Sequence, residues 1–372
     1  MDRPYDVAVI GAGPAGLALA GALCARGARV AVVDPAPDRP WHQTFCAFAD
    51  ELPDVPAEVT WSRVAIELPG RRVVRDRPYV QVDTAALQGR LRRESAGASR
   101  VVGAVIGHGP GEVRTDAGTI QARHTVDCTG ARQILGTNGP SATAFQTAWG
   151  VEIETHGHPW SPDEAVWMDL RDLAPVPSFL YVLPRTTTRV FVEETVLAAR
   201  PAVPIPPLRH RLEARLEALG VRVVRTIREE SVRIPLDLPD PSGLAFGAAA
   251  GMIHPATGYS LARSLALAGP FADALLRDHP EEAMATLRSA TRGLHRLGLD
   301  VLTRCDGDEL TAFFGAFFDQ PAWATDAFLS SRPALWSTVA AMSRLFATSR
   351  VRHLLLRPVL RPAPVESACP PL

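Results

Sequence analysis

Apolar residues fill Val7 to Ile10 without a break, a run too short for a helix and closed by glycine, and this reads as a buried strand. From Ala15 to Arg26 the pattern turns helical, Gly27 ends it, and Arg29 to Val33 form a second strand that closes on Asp34. Strand, helix and strand in that order predict a parallel sheet at the amino terminus. The middle of the chain alternates instead. Ser178 to Leu183, a turn at Arg185-Thr186-Thr187-Thr188, and Arg189 to Val196 read as a β-hairpin in a second, mainly antiparallel layer. Thr125 to Ala131 is a strand running into Thr129-Gly130, and Gly243 to Gly269 runs as strand, glycine-rich loop and a helix from about Gly258. Between them the proline-rich Arg200 to Leu208 reads as a stiff connector. Leu310, Phe313, Phe314, Phe317 and Phe318 keep helical spacing, and Ala334 to Phe346 is amphipathic. The fold class is α/β, with residues 1–148 and 236–290 as a discontinuous amino-terminal domain. Residues 149–235 form a β-rich domain and 291–372 a helical carboxy-terminal region.

One strand breaks its own pattern. Glu193 and Glu194 sit among Val190, Phe191, Val192, Val196 and Leu197, residues that ask for burial. Successive side chains of a strand point to opposite faces, so Phe191, Glu193 and Thr195 share one face and Val190, Val192, Glu194 and Val196 the other. One acid can then enter a pocket while its neighbour braces the sheet. A sheet-edge salt bridge is the plainer reading of the same pattern.

Composition bounds the partners. The 372 residues are 47% hydrophobic and 21% charged, a globular composition, and the net charge of -1 argues against nucleic acid as the main partner. The chain has no lysine, which removes Schiff-base and lysine general-base chemistry. Cys24, Cys46, Cys128, Cys305 and Cys369 form no C-x-x-C pair, so neither a disulfide framework nor zinc is expected, and a reducing, cytoplasmic compartment fits. His156 and His158 have no third ligand patterned nearby, so no metal site is expected. The apolar run from Val7 is broken by glycines in the manner of a folded turn rather than a signal peptide. No apolar stretch reaches the roughly 18 residues a membrane span needs.

The amino-terminal pattern carries the first chemistry. Gly11-x-Gly13-x-x-Gly16, with Pro14 and Ala15 between, lies where a strand turns into a helix. Gly11 permits the turn, Gly13 lets the backbone approach a pyrophosphate, Gly16 lets helix pack closely on strand, and the helix amino terminus faces the phosphates. Asp34, at the end of the next strand, stands where an acid accepts ribose hydroxyls. Thr129 and Gly130 are expected to pack on the same dinucleotide, and the glycines of the later loop to bring backbone N–H groups against it. The domain is thus Rossmann-like, and its GAGPAG wording is similar to flavoprotein amino termini, which makes FAD the expected cofactor.

With these pieces in order, the chain resembles the flavin-dependent lycopene cyclases of bacteria and plants over nearly its whole length. The resemblance is carried by FQTAWGVEIE from Phe145, WMDLRD from Trp167, FLYVLP from Phe179, VFVEET from Val190 and GMIHPATGYSLARSL from Gly251. The family's FLEET-type motif maps onto Phe191 to Thr195, and HPATGY maps His254, Pro255, Gly258 and Tyr259, together with Gly251, onto the flavin-proximal loop. Two departures stand out. Flavin hydroxylases usually carry Asp where this chain has Ala248, which counts against a hydroxylase, and Trp41 to Leu52 differs from the sequence many relatives have there.

The resemblance implies closure of the linear ψ-ends of lycopene, or a related polyene, to β-ionone rings without net redox change. Glu193 is then the leading catalytic acid with Glu194 as its neighbour, FAD acts in its reduced form, and NADPH is the reductant. An unactivated alkene is a poor base, so the acid must be held protonated, and burial beside a second carboxylate would do that. Asp169 in WMDLRD is a further pocket candidate, with a solvated loop acid beside Arg171 as the plainer reading. The implied substrate is hydrophobic. Arg344, Arg350, Arg352, His353, Arg357 and Arg361 among apolar residues make peripheral association with a membrane surface an expectation. Rival functions on the same pattern are a flavin monooxygenase, a polyprenyl reductase, and a flavin-binding protein without catalysis.

Overall fold

The computed structural model describes residues 3–52, 54–136, 143–173, 177–288, 290–348 and 350–360. Arg361 and Cys369 lie outside them, as do the side chains of Arg357 and Leu360.

The first sheet has six strands. Ser99–Val102, Val30–Asp34, Tyr5–Ile10 and Gly118–Asp127 run parallel, and Glu112–Thr115 and Val105–Gly109 extend it antiparallel. The helix Pro14–Cys24 is apolar on nearly every side, which suits a helix covered all round. It is packed between this sheet and the helix Leu261–Leu276, with Leu17, Leu19, Leu23, Phe271 and Leu275 in one core. The latter helix starts three residues later than the glycine pattern suggests. Ala245 returns to pair in parallel beside Asp127.

The second sheet has seven strands in the order Val223–Pro235, Phe145–Thr155, Arg189–Ala199, Phe179–Pro184, Glu164–Asp169, Arg63–Leu68 and Arg71–Arg75. It is antiparallel except where Glu164–Asp169 meets Arg63–Leu68. The sheet therefore takes Arg63 to Arg75 and Phe145 to Ala148 from the 1–148 stretch. The helix Ile205–Ala218 covers one face, laying Leu212 and Leu216 on Val182, Val190 and Val192. It begins inside the stretch that reads as a connector, because Pro206 and Pro207 fall in its first turn, where no N–H donor is needed.

The other face looks toward a short sheet of Cys46–Phe48, Tyr79–Val82 and Ala57–Trp61 and toward the carboxy-terminal helices. These are Arg292–Leu302, Gly307–Phe318, Ala322–Leu329, Leu335–Thr348 and Arg352–Leu360. The phenylalanine stripe lies on Gly307–Phe318, which starts at a capping box between Asp306 and Glu309. Among the described residues no helix is long and apolar enough to cross a membrane, and no disulfide joins Cys24, Cys46, Cys128 or Cys305.

Candidate active site

Four strands of the second sheet place Tyr181, Glu193, Gly150 and Glu230 in one row, each paired with the next. Residues paired across antiparallel strands point to the same face. This row faces a cavity of about 480 Å³ lined largely by apolar side chains. Gly150 leaves room between the two acids: a Cβ there would lie 2.6 Å from Phe191 Cζ and 3.3 Å from Glu193 Cβ.

Glu193 opens into the cavity and accepts a hydrogen bond from Thr195 Oγ1 at 2.7 Å. Burial pushes its carboxyl up to about 8; the Thr195 bond and Arg228 pull back, while the neighbouring charge of Glu230 pushes the same way as burial. Glu230 lines the same cavity, accepts from Thr44 N at 3.0 Å and Thr44 Oγ1 at 2.6 Å, and is ion-paired with Arg228 at 2.9 Å.

Glu194 does not share that site. It lies on the opposite face, fully buried beneath the helix Ile205–Ala218, with Arg211 Nε at 2.8 Å, Arg215 Nε at 3.0 Å and Ser178 Oγ donating at 2.5 Å. Burial raises its pKa, while Arg215, Ser178 and Arg211 oppose that rise. The expectation that Glu194 is the acid coupled to Glu193 is corrected: alternation along the strand turns the two apart, and the coupled carboxylate is Glu230, two strands away. Asp169 is likewise buried and bonded to Arg171 at 2.6 and 2.9 Å, away from the cavity lining.

Beside Glu193 stands a hydroxyl cluster. Tyr79 is hydrogen-bonded to Tyr181 at 3.0 Å and to Tyr259, and Trp167 Nε1 donates to Tyr259 at 3.2 Å. Burial raises all three phenols above their ordinary value and pushes the Cys46 thiol beside them up to about 12. Phe179, Phe191, Phe313, Phe314, Phe317 and Phe318 complete the walls, so the phenylalanine stripe is both helix core and cavity lining.

The glycine-rich loop, through Ala248, Thr257, Gly258 and Tyr259, forms another part of the cavity wall. Gly258 has φ +74°, and a Cβ there would fall 2.2 Å from Gln146 Oε1. That Oε1 is buried against the loop without a hydrogen-bond partner. His254 and Pro255 are buried behind this lining. His254 Nε2 bonds Phe328 O at 3.1 Å, Nδ1 accepts from Ala256 N at 3.2 Å, and burial drops its pKa to about 3, which keeps it neutral. It anchors the loop to the Ala322–Leu329 helix. Gly251 turns the chain at φ +68°, beside the Arg292 guanidinium.

The amino-terminal turn also has the shape of a cradle. A Cβ on Gly11 would meet Cys128 O at 2.7 Å and one on Gly16 would meet Gly11 O at 2.0 Å, whereas one on Gly13 would meet nothing within 4 Å. Space therefore lies open before the Pro14–Cys24 helix, whose first turn has no side-chain cap, and Ala15 and Gly16 bring their N–H groups to that end. Asp34 accepts from Ala12 N at 2.9 Å and Ala36 N at 2.8 Å, holding the turn with carboxylate lone pairs to spare. Thr129 is fixed by two bonds to Asp127 Oδ1, and Gly130 follows at φ +72°. These groups fit the phosphates and ribose of a dinucleotide. Among the described residues no His, Cys, Asp and Glu cluster could hold a metal, and His158 instead bonds Thr186 O at 2.7 Å.

Glu230, Tyr79, Tyr181, Cys46 and Gln146 escaped sequence reading. A signal existed for Glu230: Glu229-Glu230 repeats, in the alternating Val223–Pro235 strand, the paired acids of the hairpin.

The fold is that of two-domain flavoproteins. A geranylgeranyl bacteriochlorophyll reductase-like protein from Thermoplasma acidophilum is similar at TM-score 0.70 and 15% identity, covering 96% of this chain and 99% of that one. The halogenase PltM, solved in complex with FAD, is similar at TM-score 0.61 and 14% identity, covering 95% and 85%. At such identity these likenesses speak of the fold alone. Family membership comes from sequence: the lycopene cyclase protein family matches residues 6–355. An uncharacterized carotenoid cyclase of Deinococcus radiodurans is 36% identical over 95% of this chain and 93% of its own. The chloroplastic lycopene beta cyclase of Arabidopsis thaliana is 31% identical over 88% and 74%. The chain belongs to the lycopene cyclase family.

Proposed function

We propose that this protein closes the linear ψ-ends of lycopene, or of a related polyene, to β-ionone rings. The observation that carries the reading is Glu193. It is a carboxyl held protonated up to about 8, opening into an apolar cavity walled in part by the glycine-rich loop.

Glu193 gives its proton to the terminal alkene. The neighbouring alkene attacks the resulting cation and forms the ring bond, and a ring proton then leaves. One proton enters and one leaves, so substrate and product are isomers. The walls protect the cation. Phenylalanine faces stabilise a positive charge without bonding to it. The three tyrosine hydroxyls are bonded to one another and to Trp167, and Cys46 stays a thiol, so neither a phenolate nor a thiolate waits beside the cation.

Gly11, Gly13, Ala15, Gly16, Asp34, Thr129 and Gly130 would hold the dinucleotide of FAD, and Gln146 and the Gly258 loop its ring. Reduced FAD, with NADPH as donor, would supply negative charge beside the cation, and a pair about 4 Å apart at an effective dielectric of about 20 is worth roughly 4 kcal/mol. Substrate arrives from a bilayer, with the protein cytoplasmic and docked through the exposed side of Leu335–Thr348, where Trp336 is 84% exposed and the exposed Arg344, Arg350 and Arg352 follow in the chain.

Expression in a lycopene-accumulating bacterium, with chromatography of the pigments, tests the reading. Ring-closed product without stoichiometric NADPH use is expected. A hydroxylated or reduced product formed with one NADPH each would replace it by a monooxygenase or reductase.

A further inference from the structure

A second cavity, of about 350 Å³, lies among the carboxy-terminal helices. It shares Gly298, Phe313, Phe317 and Phe328 with the first, so a wall one side chain thick divides the two. That wall is tightly set. Phe313 stacks on Phe317 at 6.3 Å between ring centroids, Phe328 meets Phe317 edge-on at 5.8 Å, and a Cβ on Gly298 would lie 3.1 Å from Phe328 Cζ. Beyond it the lining is almost wholly apolar, and two lining residues, Phe346 and Leu356, are 41% and 39% exposed, which places the mouth at the surface.

We propose that this second cavity binds the unreacted remainder of the polyene while one end is cyclised, and that the substrate enters through the Phe346–Leu356 mouth. The inference rests on the cyclase reading. The first cavity must take both the cofactor's ring end and the reacting end of the substrate, which leaves no length there for the rest. A conjugated polyene is stiff and cannot coil into the space that remains, so it must leave the first cavity in a straight line. The shared phenylalanine wall is where a second apolar space continues the first, and flat rings that turn aside would let a flat chain pass. Phe346, at the opening, lies on the same helix as the exposed Trp336, Leu335–Thr348.

The test compares two substrates on the FAD-loaded enzyme: lycopene, and a shortened polyene with the same reacting end, such as an apo-lycopenal. Ala341→Phe and, from a different helix, Ala324→Leu fill the second cavity without reaching the first, since both alanines line only the second. Each variant should lower kcat/KM for lycopene by roughly tenfold or more and leave the shortened substrate within about twofold. Equal loss on both substrates with flavin content and melting temperature retained, or no loss on either, would overturn the inference. Wild-type enzyme that cyclises neither substrate refutes the cyclase reading itself, a distinct result.

Discussion

Glu193 and Glu230 face each other across Gly150, a residue that has no side chain to part them. One is pushed toward its neutral form, and the other is ion-paired with Arg228. A like charge in the same dry cleft favours the neutral form of Glu193, while Arg228 opposes it. From this arrangement follows the pH behaviour of the enzyme.

Glu193 can donate only while protonated, so turnover should be full at lower pH and fall as pH rises through about 8. The groups that face it are Glu230, Arg228, Thr195, Cys46 and the tyrosine cluster. Of these, the charge of Glu230 favours the neutral acid and Arg228 opposes it. Glu230→Gln removes the like charge and frees Arg228, and both changes lower the pKa of Glu193. The alkaline limb of the kcat profile should move to lower pH. A limb that stays in place shows that Glu230 does not set the protonation of Glu193.

Glu194→Ala should act on stability instead. It removes the buried carboxylate that Arg211 and Arg215 share, leaving Asp172 at 3.5 Å from Arg211, a loss on the order of 3 kcal/mol. Urea unfolding measures this directly. A variant as stable as wild type would show that the ion pairs carry little, and one that folds normally yet cannot turn over would return Glu194 to the chemistry.

Much of this division was legible in the chain and part of it was not. The turn at Gly11, Gly13 and Gly16 is written locally, because close backbone approaches demand glycine at fixed spacing. The alternation in Arg189–Ala199 is local too, and it already sends Glu193 and Glu194 to opposite faces. What the hairpin could not disclose is its neighbours. Glu230 reaches Glu193 only through a strand pairing with Phe145–Thr155, and Arg211 and Arg215 reach Glu194 from a helix that begins among prolines. Arg63 to Arg75 joins the second sheet through a parallel pairing that no short pattern announces.

Gly13→Val tests the nucleotide cradle. The added side chain meets no protein atom near its Cβ, so the fold should tolerate it. It would stand where the phosphates must approach, so FAD affinity should fall at least about tenfold, read by flavin fluorescence quenching. Unchanged affinity would place the dinucleotide elsewhere.

Docking to lipid has its own readout. Trp336→Ser with Phe346→Ser should reduce flotation with anionic liposomes, and added salt should weaken wild-type binding through Arg344, Arg350 and Arg352. Flotation unaffected by either change would remove this helix from the membrane contact.

The most direct measurement is lycopene turnover by Glu193→Gln at flavin occupancy matched to wild type. Loss of a positioned general acid predicts a fall of about a hundredfold to ten-thousandfold with FAD binding and melting temperature retained. Turnover near the wild-type rate in that protein would contradict the assignment of Glu193 as the proton donor.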